Sequence, residues 1–220
     1  MDEKKREIRT IGGKWKPRLR EAAEGAADGG RTIEGYAIVF GVESRILCDY
    51  WDNYREVIEP GAITDERLRE MDIKMTMYHN REKLLARSQY GEGTLKLSVD
   101  ETGVKYEFDA PHTVDGDTAL ELVRRGDLSG SSFMFWTDEG SGVSYEKRSD
   151  GMMLRRVKTI GAIYDMTIAA DPAYEETTVA AREAYERLGK QPRKPAPQKP
   201  GERLTLERQR RERETILCDY

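Results

Sequence analysis

The sequence predicts a mainly β domain of α+β type, on three observations. Short stretches that alternate apolar and polar residues recur from Arg31 to about Ala170. Glycine-bearing turns separate several of them, Asp100-Glu-Thr-Gly103 being the clearest. Only a few segments carry a helical pattern, and polar, charged tails lie on both sides.

In chain order, residues 1–30 are charged and rich in Ala and Gly, and read as an N-terminal arm, partly helical, with an apolar-basic patch at Trp15-Lys-Pro. Arg31 to Phe40 alternates and then turns apolar, which predicts a strand. Tyr54 to Glu59 predicts a second, closed by Pro60-Gly61. Thr64 to Met71 predicts a short helix with Thr64 as N-cap. Ile73 to Tyr78 alternates strictly and delivers His79 at its end. Thr94–Val99 and Val104–Phe108 predict a hairpin around Gly103. Asp117 to Arg125 is helical and stops at Gly126. The stretch that follows, Asp127-Leu-Ser-Gly-Ser-Ser-Phe-Met-Phe-Trp136, runs from a small-residue turn into an aromatic-rich strand. Met153 to Ala170 holds one or two more strands, and Asp171-Pro172 opens a last helix through Leu188. The domain therefore spans residues 31–188. A Pro/Lys-rich linker, 189–201, and a charged C-terminal tail, 202–220, follow it.

Composition narrows the function classes. Hydrophobic residues make up 37% and charged residues 35%, and the formal net charge is −4. That balance gives no general pull toward nucleic acid or an anionic membrane. No apolar run is long enough to span a bilayer, and the basic N-terminus has no apolar segment behind it to make a signal peptide. Cys48 and Cys218 read as reduced cytosolic thiols, and two cysteines with two histidines give no zinc-type spacing, so no metal or cofactor is expected. One oddity is Ile-Leu-Cys-Asp-Tyr, present at 46–50 and again at 216–220, where the second copy could pair as a strand in place of the first.

The candidate chemistry is a hydroxyl, an imidazole and a carboxylate. Ser129, Ser131 and Ser132 sit at the helix-to-strand junction; on local pattern they read as an ordinary turn entering a core strand. His79, followed by polar Asn80-Arg81, reads as a solvated strand-end residue able to titrate near neutrality, and His112 as a turn residue. Asp165, within Ile163-Tyr-Asp-Met-Thr-Ile168, is a carboxylate in an apolar segment, which needs a partner because unpaired burial costs several kcal/mol. Together they supply a nucleophile, a base and an orienting acid, without spacing that shows they meet.

The wording of these segments resembles the prohead (capsid maturation) serine proteases of tailed bacteriophages, distant relatives of the herpesvirus assemblins. The resemblance runs from about Glu34 to Arg182, through Glu56-Val-Ile-Glu-Pro-Gly-Ala62, Tyr78-His-Asn80, Gly93-Thr-Leu-Lys-Leu97, Leu122-Val-Arg-Arg-Gly-Asp-Leu-Ser-Gly-Ser-Ser-Phe133 and Asp171-Pro-Ala-Tyr174. It implies a compact β-barrel surrounded by a few helices. It also implies a catalytic set of His79, Ser132 and Asp165, with Ser131, Ser129 and His112 as alternatives. Backbone N–H groups near Ser132, or Arg155 or Arg156, would serve the oxyanion. Two departures stand out: Met134 where the family often has Gly, and Asp165 where a Glu is usual, one methylene longer. The implied role is an endopeptidase that cleaves scaffold and major capsid protein, and its own tails, inside the procapsid in the host bacterial cytoplasm. No nucleic-acid or membrane partner is implied, and a homo-oligomer is left open. The competing expectation is a non-enzymatic assembly or scaffold module that binds coat protein. Hydrogen-bond reach between His79 Nε2 and a serine separates the two.

Overall fold

The computed structural model describes residues 6–20, 30–48 and 53–170. The chain divides into two units, residues 1–176 and 177–220, and every described residue belongs to the first. The expected last helix, the linker, the charged tail and the second Ile-Leu-Cys-Asp-Tyr copy lie outside the described residues.

The described strands are β1 (Glu7–Ile11), β2 (Arg18–Leu19), β3 (Thr32–Val39), β4 (Leu47–Cys48), β5 (Asn53–Ile58), β6 (Asp72–Met77) and β7 (Asn80–Gln89). They continue with β8 (Glu92–Gly93), β9 (Lys96–Val99), β10 (Gly103–Asp109), β11 (Gly130–Trp136), β12 (Val143–Lys147), β13 (Met153–Val157) and β14 (Ala162–Ala169). Two α-helices, α1 (Asp65–Arg69) and α2 (Val114–Arg125), interrupt them. The protein is thus mainly β, as the alternation predicts. Thr64 caps α1 by accepting from the Arg67 N–H, and Thr113 caps α2 by accepting from the Gly116 N–H. Gly126 ends α2 in the left-handed region at φ 81°, where a residue without Cβ meets no steric penalty.

The strands form three sheets, ordered β1-β11-β14-β6-β7-β8, β2-β3-β10-β9 and β12-β13-β5-β4. None closes on itself, which corrects the expected barrel. A ring needs every strand paired on both sides, and the outer strands of each sheet pair on one side only. The expected ring of helices reduces, among the described residues, to α1, α2 and one 3-10 turn at Gly13–Trp15.

The stretch expected to be a charged arm carries β1 and β2. Its charges hid the strands from the pattern, because Arg9 in β1 is buried by ion pairing rather than by apolar contact. The core gathers Ile33, Ile38, Tyr106, Phe108, Ile73 and Met75 with Phe133 and Phe135 of β11. The two β11 rings lie on one face of that strand, centroids 5.0 Å apart. Burying each such ring stabilises by roughly 1.5–3 kcal/mol, so β11 is firmly seated where α2 delivers it.

Candidate active site

The six-stranded sheet brings the candidate residues together from β11, the adjacent β14 and the turn that follows β6. Antiparallel pairing sets Ser132 of β11 opposite Thr167 of β14, and Met134 opposite Asp165. Parallel pairing sets Thr167 beside Thr76 of β6. Residues directly opposite one another share a face, so Ser132, Thr167 and Asp165 project from the same side of the sheet.

His79 reaches that side through the β6–β7 hairpin. Met77 pairs with Asn80, leaving Tyr78 and His79 as a two-residue loop, and both have φ 56°. Positive φ at both positions is the requirement of the tight turn that matches strand twist, usually met by Asn or Gly. Bulky residues there cost about 1–3 kcal/mol each, strain of the kind that collects at functional sites. The turn is pinned by a bond from the His79 N–H to Thr167 Oγ1 at 3.1 Å, and Thr167 donates to the Thr76 carbonyl oxygen at 2.8 Å.

The imidazole then lies between its two partners. Nε2 is 2.8 Å from Ser132 Oγ, and Nδ1 is hydrogen-bonded to Asp165 Oδ1. Ser132 is 1% exposed and Asp165 2%. A carboxylate only accepts, so Nδ1 carries the proton and the neutral ring presents Nε2 as acceptor. The imidazole is the partner that a carboxylate in an apolar strand requires. Ser132 Oγ also lies 2.9 Å from the Arg9 carbonyl oxygen. Its single proton therefore has two acceptors.

The other candidates are sorted by the same alternation. Ser131 is on β11 but turned the other way, its Oγ 2.7 Å from the Tyr106 hydroxyl; burial pushes that phenol well above its ordinary range. Ser129 lies ahead of the strand and donates to the Ala170 carbonyl oxygen at 3.1 Å. The serines therefore do not share a turn, since two of them are strand residues with opposite faces. His112 is exposed in the loop before α2 and bonds none of the three residues.

Arg155 and Arg156 point to carboxylates. Arg155, 2% exposed, bonds Glu7 at 2.8 and 2.9 Å as well as Glu56 and Glu139. Burial alone would lower its pKa, but Glu56 and Glu7 outweigh burial and hold it well above the usual arginine value. Arg156 bonds Glu59 at 2.7 Å and Glu146 at 3.2 Å. Both guanidiniums are thus engaged by carboxylates, and neither bonds Ser132 among the described residues.

Sequence reasoning missed Thr167 and Arg9. Thr167 stands two residues after Asp165, and the period-two alternation of a strand is the signal that puts it on the same face. Nothing local marks Arg9.

A family description, caudovirus prohead serine protease, matches residues 18–191. The chain belongs to the caudovirus prohead serine protease family. Membership makes it a serine peptidase of capsid maturation, acting on capsid proteins in general at the interior of the procapsid. No curated protein and no solved structure shows significant similarity to it. Among the described residues no helix is long and apolar enough to cross a membrane, and no group of three or more His, Cys, Asp or Glu side chains could hold a metal ion.

Proposed function

We propose that this prohead protease cuts peptide bonds with Ser132 as nucleophile, His79 as general base and acid, and Asp165 as the group that orients the imidazole. The observation that carries the reading is the continuous chain of contacts from Asp165 through Nδ1 and Nε2 to Ser132 Oγ, at 2.8 Å for the last link. An assembly module would have no use for it.

Ser132 Oγ forms a bond to the substrate carbonyl carbon as its proton passes to His79 Nε2. The carbon–nitrogen bond breaks, the amine leaves with that proton, and an acyl-serine remains. Water then attacks the ester. His79 takes a proton from the water and returns it to Ser132 as the second product leaves. Asp165 stays ionised and stabilises the imidazolium formed in each half. The substrates are the scaffold and major capsid protein and the chain's own linker, residues 190–201, a sequence rich in proline and lysine.

The test is incubation of the purified protein with its coat protein, followed by fragment mapping by mass spectrometry. Wild type yields coat fragments and a chain clipped in residues 190–201, and Ser132→Ala yields neither. Cleavage by the purified variant would overturn the assignment of the nucleophile.

A further inference from the structure

Ser132 is closed off by the chain's own β1. This strand is the outermost of the six-stranded sheet, paired antiparallel to β11 with Thr10 opposite Ser132. A scissile carbonyl carbon must come within about 3–3.5 Å of the attacking oxygen. A backbone carbonyl, that of Arg9, already stands 2.9 Å from Oγ. At Gly130 a Cβ would lie 3.0 Å from the Ile11 carbonyl oxygen, so the glycine admits a strand lying close against β11. A surface depression lined by Arg87, Gln89, Tyr90, Glu92, Gly93 and Thr94 includes none of the catalytic set.

What holds β1 in place is unusual for a strand beside a core. Of its inward residues only Ile11 is apolar; the other two are Glu7 and Arg9. Arg9 makes a two-bond fork on Glu56, at 2.7 and 2.8 Å, and Glu7 bonds Arg155. Glu56 is 0% exposed and Arg155 2%, and the two also bond each other. The cradle therefore keeps its charges paired when β1 departs, and only β1 brings its own charges in and out.

We propose that β1 stands in the substrate's place. The outer edge of β11 is the peptide-binding site, and it takes an extended segment with an acidic residue for Arg155 and a basic residue two positions later for Glu56. Ser132 becomes reachable only when β1 has left that edge. Strand addition supplies the affinity through main-chain bonds, and alternate side chains supply the selection. The inference rests on the reading of Ser132 as nucleophile.

The test uses the full chain and a fluorophosphonate probe, with labelled Ser132 identified by peptide mapping. Arg9→Ala removes the fork; amide exchange across residues 7–11 rises, and labelling of Ser132 accelerates about tenfold or more as the competent fraction grows. Added peptide Arg-Glu-Ile-Arg-Thr-Ile-Gly, the sequence of residues 6–12, slows it again, and the peptide with its Glu and second Arg exchanged does not. Should Arg9→Ala fail to fold, Arg9→Gln keeps one donor, loses the fork and serves the same comparison. A folded variant with faster exchange at 7–11 but the wild-type labelling rate overturns the proposal and leaves the nucleophile standing. Equal slowing by both peptides overturns the charge selection. Absence of Ser132 labelling in every form overturns the nucleophile reading, and this inference with it.

Discussion

At the scale of single residues, one hydroxyl differs from its neighbour only by which face of β11 it occupies. Ser131 meets Tyr106 in the core, whereas Ser132 meets the imidazole. Replacing Ser132 or His79 by Ala should lower kcat/KM on a coat-derived peptide by about 10⁴-fold or more. Ser132→Ala should leave the melting curve unchanged, whereas His79→Ala also lowers the melting temperature because it strands the buried Asp165. Asp165→Asn keeps the shape but lets the ring settle in the wrong tautomer, so a fall of about 10⁴-fold in kcat is expected from steady-state kinetics. Thr167 acts through His79. It receives the His79 N–H and ties it to β6, so Thr167→Val frees the strained turn without touching substrate. A misplacement of about 1 Å costs on the order of 10²-fold, so kcat should drop by up to about that much while KM stays put. Equal changes in kcat and KM would instead mean that Thr167 contacts the substrate.

At the scale of elements, charge is used in place of apolar packing twice. One instance is the cradle of Glu56 and Arg155 that holds β1. The other joins β2 to its sheet: Glu34 of β3 receives Arg18 at 2.9 Å, Arg20 at 3.0 Å and Lys105 at 3.1 Å. Burial would raise the Glu34 pKa, but bonds from Arg20, Lys105 and Arg18 outweigh it and hold the pKa at about 2 instead of the ordinary 4.5. A carboxyl whose folded pKa is depressed stabilises fully above its unfolded value and loses that stabilisation as pH falls through the folded one. The difference in urea stability between wild type and Glu34→Gln should therefore be constant above about pH 5 and shrink from 4.5 toward about 2. A difference that grew on acidification would refute this account of the sheet. The end of α2 makes a separate case. Gly126→Ala puts a Cβ in the left-handed region with nothing within 4 Å to clash, so the cost is conformational alone, about 1–2 kcal/mol by denaturant melt, with less for Asn.

At the scale of the whole molecule, the sequence made most elements legible. Period-two alternation marked β3, β5, β6, β9 and β10, Thr64 marked the start of α1, and Gly126 marked the end of α2. It missed β7, because Asn80-Arg81-Glu82-Lys83 begins that strand with four polar residues. It missed β1, because inward charges paired across 47 or more positions look like a solvated run when read along the chain. It also expected a barrel, whereas three open sheets form. Self-processing belongs to this scale as well. Mixing active protein with Ser132→Ala chain bearing a mass tag should release its tail at the linker only if cutting works between molecules, and mass spectrometry of the tagged chain reads this directly.

Local order therefore determined which segments are strands and helices, and which residue types could do acyl transfer, because period, capping and turn chemistry act over a few neighbours. Which serine faces the imidazole, that a threonine holds the turn, and that β1 lies across the nucleophile were decided only by tertiary pairing. The register between β11 and β14 sets the face each side chain occupies, and a slip of one residue would exchange Ser132 for Ser131.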